Sequence, residues 1–362
     1  RSANRPDCGW CSALRPTGDT DNFKTTNYAM RNALLTLTAL ILTLSTSQAQ
    51  QAEPNTVRDR LWLFGVPADG PRLFYEGAGY RGGSRITPAE GAHWLGVPNL
   101  MFITQPWNQP PAMAREKAWK TVTTKEQYAI SFQSLKRVQW AAVGSGGLGG
   151  LAEVPDIVTL AKDYPNITSI YLDDFVTRPY TKRADGTTVG TPAMTEAQLK
   201  SMRTQLGKAG RPMEVWTTIY THEFDRKHPD FKDCEPPLAD QMKHFDVVVL
   251  WTAKSADLRD LEKNLTLLES IKPKNCRIAL GIYLWGYWDK DPAKADDKSY
   301  VMGRPVPLDL MEHQCGLGLK WLKEGRVSDL VILGLAGIDQ GIPSAKWMRD
   351  WIKKNGDQNL NR

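Results

Sequence analysis

Ile167-Thr168-Ser169-Ile170-Tyr171-Leu172-Asp173-Asp174-Phe175 is a run of β-favouring residues that ends in two adjacent carboxylates and an aromatic ring. A short apolar segment bounded by turn signals is the mark of a strand covered on both faces. Packing alone does not call for Asp173 and Asp174 at its carboxyl end, whereas parallel α/β proteins build their sites there.

Seven further segments of the same kind lie around it. Upstream are Leu61–Val66, Asn99–Thr104 and Arg137–Val143; downstream are Glu214–Tyr220, Val247–Thr252, Arg277–Trp285 and Leu330–Ala336. Helical segments are expected from Thr87, up to about Leu135, from the glycine run to Lys162, and over 195–209, 255–271, 308–324 and 343–354. Thr87, Pro88 and Glu90 have the spacing of a capping box with proline in the first turn. Strands alternating with helices predict a parallel sheet. Eight of them, with no linker between, predict one α/β domain of the (β/α)8 TIM-barrel class over residues 57–356. An open doubly wound sheet fits less well, because it needs a phosphate loop after its first strand.

The segment before the barrel reads differently. Met30-Arg31-Asn32 precedes an apolar run, Ala33–Leu44, and small residues stand at Ser47 and Ala49. This is the pattern of a secretory signal peptide over 30–49, cut after Ala49, with residues 1–29 an upstream extension outside the native start. Cys8-Gly9-Trp10-Cys11 falls in that extension, without the strand context of a redox motif. An exported chain carries Cys234, Cys276 and Cys315 into an oxidising compartment, where a Cys234–Cys276 disulfide is the expected pairing. The expected localisation is secreted or periplasmic, with no membrane attachment after cleavage.

The formal charge of +6 is spread along 362 residues, so it does not single out nucleic acid or membrane as a partner. Oligomeric state is left open. The 13 Trp are more numerous than a core of this size requires. Such rings either fill the core or stack on sugar faces.

In a barrel, the loops after the strand C-termini carry function. They supply Tyr75 and Glu76; Gln105, Trp107 and Asn108; Asp173 and Asp174, with Arg178 and Tyr180 beyond; Tyr220, His222 and Glu223; Trp251 and Thr252; Tyr283, Trp285, Tyr287, Trp288 and Asp289; and Asp339 and Gln340. Carboxylates accompanied by aromatics are what glycosidic cleavage uses: an acid for the leaving oxygen, a base or nucleophile opposite, and rings for the sugar. The aromatic-x-Asp-Asp end of the fourth strand, Tyr171 to Asp174, resembles that of barrel-type glycoside hydrolases, including secreted bacterial barrels. This resemblance implies a carbohydrate substrate. The chain departs from the chitinase-like Asp-x-x-Asp-x-Asp-x-Glu pattern and has no Glu near Trp285 for a seventh-strand nucleophile.

The expected catalytic set is therefore Asp173 and Asp174 with a partner from another loop, in the order Glu223 and Asp339, then Glu76, then Asp289. Neighbouring side chains on a strand point to opposite faces, so Asp173 and Asp174 are expected to diverge. Glu76, Trp107, Tyr220, Trp251, Tyr283, Trp285 and Trp288 are the expected substrate contacts. No cofactor is expected: Gly144–Gly150 lacks both the Lys-Ser/Thr of a phosphate loop and the dinucleotide spacing. His93, His228, His244 and His313 do not join His222 at metal-ligand spacing. Two other readings stay open, a sugar-binding barrel without turnover and a metal-assisted hydrolase or lyase.

Overall fold

The computed structural model describes residues 55–67, 86–104, 123–175, 180–182, 184–186, 188–223, 237–287, 289, 303–334 and 337–360. Its centre is a closed barrel of eight parallel strands: β1 (Leu61–Gly65), β2 (Asn99–Phe102), β3 (Arg137–Gly144), β4 (Ile167–Leu172), β5 (Glu214–Tyr220), β6 (Val247–Trp251), β7 (Arg277–Tyr283) and β8 (Asp329–Leu333). Each strand pairs with its sequence neighbours, and β8 pairs with β1 to close the ring. The helices are α1 (Pro88–Leu95), α2 (Lys125–Ser131), α3 (Val154–Asp163), α4 (Glu196–Leu206), α5 (Leu238–Met242), α6 (Leu261–Ile271), α7 (Leu308–Glu324) and α8 (Pro343–Asn355). This is the α/β TIM barrel that the alternation predicts.

Local chemistry explains the boundaries. Thr87 and Glu90 close a reciprocal capping box on α1, and Thr124 with Gln127 and Thr195 with Gln198 do the same for α2 and α4. The glycine run does not open α3 directly. Gly146, Gly147, Gly149 and Gly150 all have positive φ, which a helix excludes, so the chain makes 3-10 turns and a two-residue antiparallel strand before α3 starts at Val154. The polar stretch between β4 and α4 contains a short hairpin, Tyr180–Lys182 against Thr188–Gly190.

Inside the barrel the aromatic side chains fill the lumen in tiers. Trp62 and Trp216 meet near the N-terminal end with ring centroids 5.2 Å apart. Above them Phe64 packs edge-on against Tyr171 and Trp251, and Trp251 against Tyr283. Gly281 makes room for this: a Cβ there would overlap the Trp251 ring. Six tryptophans, 62, 140, 216, 251, 285 and 321, are fully buried, so much of the Trp excess is core.

Two ties complete the frame. Thr56 bridges antiparallel to Asn359, and the Leu360 amide donates to the Asn55 carbonyl at 2.7 Å, joining the first and last described segments. Cys276 and Cys315 are buried free thiols, and the Cys234 half of the expected Cys234–Cys276 pairing lies outside the described residues. Cys276 lies at the N-terminal edge of β7, and burial pushes its thiol up to about 11. Cys234, the signal segment and the Cys8–Cys11 motif lie outside the described residues. No helix among the described residues is long and apolar enough to cross a membrane.

Candidate active site

Between β3 and β4 the register slips opposite Ala141–Val143, directly beneath the strand end. Such bulges re-aim the chain at the rim of a barrel. Strand β4 stops at Leu172, and Asp173–Phe175 form a turn. Asp174 sits at φ 46°, the single described non-glycine residue in the left-handed region, which Asp tolerates better than most residues. The two-residue alternation of a strand therefore ends before the pair. This corrects the expectation that Asp173 and Asp174 diverge. Their donors on β5, Thr218 for Asp173 and Tyr220 for Asp174, stand two residues apart on the same face of that strand, so the two carboxylates meet one side of the mouth.

Each aspartate terminates its own line of donors. Trp251 Nε1–H donates to the Tyr171 hydroxyl at 3.1 Å; Tyr171 and Thr218 hydroxyls are hydrogen-bonded; Thr218 Oγ1 donates to Asp173 Oδ1 at 3.1 Å. Since the indole can only donate, each hydroxyl accepts from one side and donates to the other, and the line ends on Asp173. Asp174 accepts from the Gly146 amide at 2.7 Å (Oδ2) and from the Tyr220 hydroxyl at 2.5 Å (Oδ1). Tyr220 has one phenolic proton and gives it to Asp174. Asp173 is 5% exposed, while Asp174 is half-buried.

Burial, reinforced by these carboxylates, holds the Tyr171, Tyr220 and Tyr283 hydroxyls well above the ordinary phenol value. Deprotonation would place a second anion beside an aspartate in a poorly solvated site. The three phenols therefore remain neutral donors across the physiological range.

The other expected residues divide clearly. Glu223 is half-buried in the turn Thr221–Glu223, and its Oε2 accepts the Tyr220 backbone amide at 3.1 Å. His222 stacks on the Tyr220 ring with centroids 5.1 Å apart. Asp339 is exposed in the turn after β8, where Gln340 Nε2 donates to it at 3.4 Å. Asp289 is buried and braces two loops, accepting the Ser255 amide at 2.9 Å and meeting Arg304 at 3.5 Å. Trp251 and Trp285 are each 1% exposed, so neither ring offers a face to a sugar. Trp251 is instead the lumen aromatic that anchors the donor line, and Trp285 packs where a side chain on Gly303 would stand. Thr252 is buried, and Glu76, Trp107 and Trp288 lie outside the described residues.

Thr218, Tyr171 and the Gly146 amide were not among the expected residues. Two of them follow from period two: Tyr171 is two residues before Asp173, and Thr218 lies between Trp216 and Tyr220 on the inward face of β5. Among the described residues no three His, Cys, Asp or Glu side chains converge as metal ligands.

No protein-family model matches the chain, and no curated protein sequence matches it. Solved structures do align with it. The Bacillus cereus spore cortex-lytic enzyme SleL aligns over 83% of this chain and 76% of its own, with 11% identity and a TM-score of 0.48. A psychrophilic glycoside hydrolase family 10 endo-β-1,4-xylanase aligns over 80% and 91%, with 10% identity and a TM-score of 0.42. A 2,3-dimethylmalate lyase aligns over 90% and 90%, with 10% identity and a TM-score of 0.36. A likeness this remote, shared with a lyase, shows the barrel alone, and chemistry has to be argued from the site.

Proposed function

We propose that this chain is an exported carbohydrate-active enzyme that hydrolyses glycosidic bonds of a poly- or oligosaccharide at the Asp173–Asp174 end of its barrel. One observation carries the reading: Asp174, half-buried just past the C-terminal end of β4, is held by two neutral donors, a phenol and a backbone amide, that orient its charge without cancelling it. A carboxylate held in this way can exchange a proton with a glycosidic oxygen or stabilise the oxocarbenium-like transition state. Asp173 lies behind it and, through Thr218, ties that position to the lumen. Glu223 supplies the second carboxylate, since it stands on the adjacent β5 loop and strands β4 and β5 run about 5 Å apart. Tyr220 and Tyr283 contribute hydroxyls at the edge of the sugar site.

The test is a polysaccharide panel assayed with the chain from Gln50 onward and with Asp174→Asn. The substitution keeps size and removes the charge. Turnover should fall by roughly a thousandfold, within the range of general acid–base contributions, with thermal unfolding unchanged. Full turnover in Asp174→Asn would overturn the assignment. Saturable binding of a glycan by the unsubstituted protein, without turnover, would make the barrel a sugar-binding protein instead.

A further inference from the structure

A cleft of about 530 Å³ opens between the loop after β6, the loop after β7 and the first turn of α7. None of its lining residues belongs to the Asp173–Asp174 network. Lys254, Arg259 and Arg304 line it, opposed by Asp289 and Asp309. Asp289 is 5% exposed and is already engaged by the Ser255 amide and Arg304. Asp309 lies in the first turn of α7, where it offsets the positive end of that 17-residue helix. Lys254 and Arg259 are exposed and form no ion pair among the described residues. Ser255, 2% exposed, also lines the cleft, and its hydroxyl has no hydrogen-bond partner among the described residues. A Cβ on Gly286 would run into both Ser255 Oγ and Asp289, so the chain keeps a glycine where these two groups meet.

Lys254 and Arg259, which form no ion pair among the described residues, stand beside a buried hydroxyl that has no partner there, and with Asp289 and Asp309 on the facing wall they form an incomplete donor set. An oxyanion completes it, accepting from Lys254, Arg259 and Ser255. The cleft is at the same end of the barrel as the mouth. Lys254 follows Trp251 by three residues, at most about 11 Å of chain.

We propose that this cleft is an anion subsite, and that the glycan processed at the mouth carries carboxylate or sulfate groups, one of which docks here. The proposal rests on the carbohydrate reading above and narrows it to acidic glycans. The probes are polygalacturonate and dextran sulfate, each against its uncharged counterpart, methyl-esterified polygalacturonate and dextran, with binding to the full chain followed by calorimetry. At least one acidic polymer should bind roughly tenfold or more tightly than its counterpart, the loss expected from a charge-assisted contact. Which one binds separates carboxylate from sulfate. Lys254→Ala/Arg259→Ala should abolish that preference, while Lys353→Ala/Lys354→Ala, on exposed positions of α8, should keep it. Failure of both acidic polymers to bind, or equal loss in the two double variants, would overturn the subsite; the latter would mean diffuse attraction by the net charge. Absence of turnover in the unsubstituted chain, with lost preference in Lys254→Ala/Arg259→Ala, would remove the hydrolase reading and leave the subsite standing.

Discussion

The two ends of this barrel treat carboxylates in opposite ways. At the N-terminal end Asp329, fully buried, accepts Trp62 Nε1–H at 2.9 Å and lies 3.5 Å from Arg137, whose guanidinium covers the Trp62 ring at 4.5 Å. Glu214 there pairs with Arg277 and accepts Trp216 Nε1–H at 2.8 Å. At the mouth, Asp174 is held by a phenol and a glycine amide, with no cation paired to it among the described residues. An arginine beside a buried carboxylate compensates the cost of its charge and locks two strands together. A neutral donor fixes direction and leaves the charge available to a substrate. One end is a clasp, and the other is where the proposed chemistry would take place.

The comparison can be broken by substitution. The largest effect is expected from Asp174→Asn, which should remove turnover and spare stability. Asp329→Ala should do the reverse. It leaves the Trp62 indole N–H without its acceptor and removes the carboxylate beside Arg137, and should cost about 3 kcal/mol in urea unfolding, the low end for a broken buried pair because Arg137 is partly exposed and keeps Asn99 and the Asp59 carbonyl as acceptors. Glycan binding should persist below the transition. An equal loss of activity and stability in both variants would mean that the ends do not divide the work.

Tyr220→Phe is the finer probe. It deletes the hydroxyl that donates to Asp174 and keeps the ring under His222. Activity should fall by roughly ten- to a hundredfold, as for a lost hydrogen bond to a charged group, with a change in the pH–rate profile that a packing defect would not produce. The smallest effect is on alkaline stability. Tyr171, Tyr220 and Tyr283 keep their protons in the fold to higher pH than in the unfolded chain. Their contribution is complete below the unfolded phenol value, about 10, and is lost as pH rises past it. Urea midpoints should hold to that point and then decline, and Tyr220→Phe/Tyr283→Phe should flatten the decline.

Much of the frame was legible in the residues because it depends on periodicity and caps. The β5 bounds and α7 emerge as Glu214–Tyr220 and Leu308–Glu324, and Thr87 caps α1 as its spacing requires. Short-range patterns do not show where a strand stops obeying its own alternation. Asp174 belongs to a turn, and a single left-handed φ reverses the inference drawn from Asp173. Tryptophans at strand ends were equally ambiguous: whether Trp251 stacks on a sugar or fills the lumen depends on Gly281, thirty residues away in sequence and on the neighbouring strand. The pairing of Asp329 with Trp62 spans 267 positions and has no local signature at all.

The antiparallel bridge between Thr56 and Asn359 has a consequence for protein engineering. A short peptide can splice residue 360 to residue 55, and the circle can be reopened at Gly210, an exposed turn residue between α4 and β5. Such a permutant would begin and end on the clasp side of the barrel. All eight strand-to-helix loops would keep their covalent continuity, leaving the catalytic face untouched while a tag, a surface anchor or a second module is attached behind it.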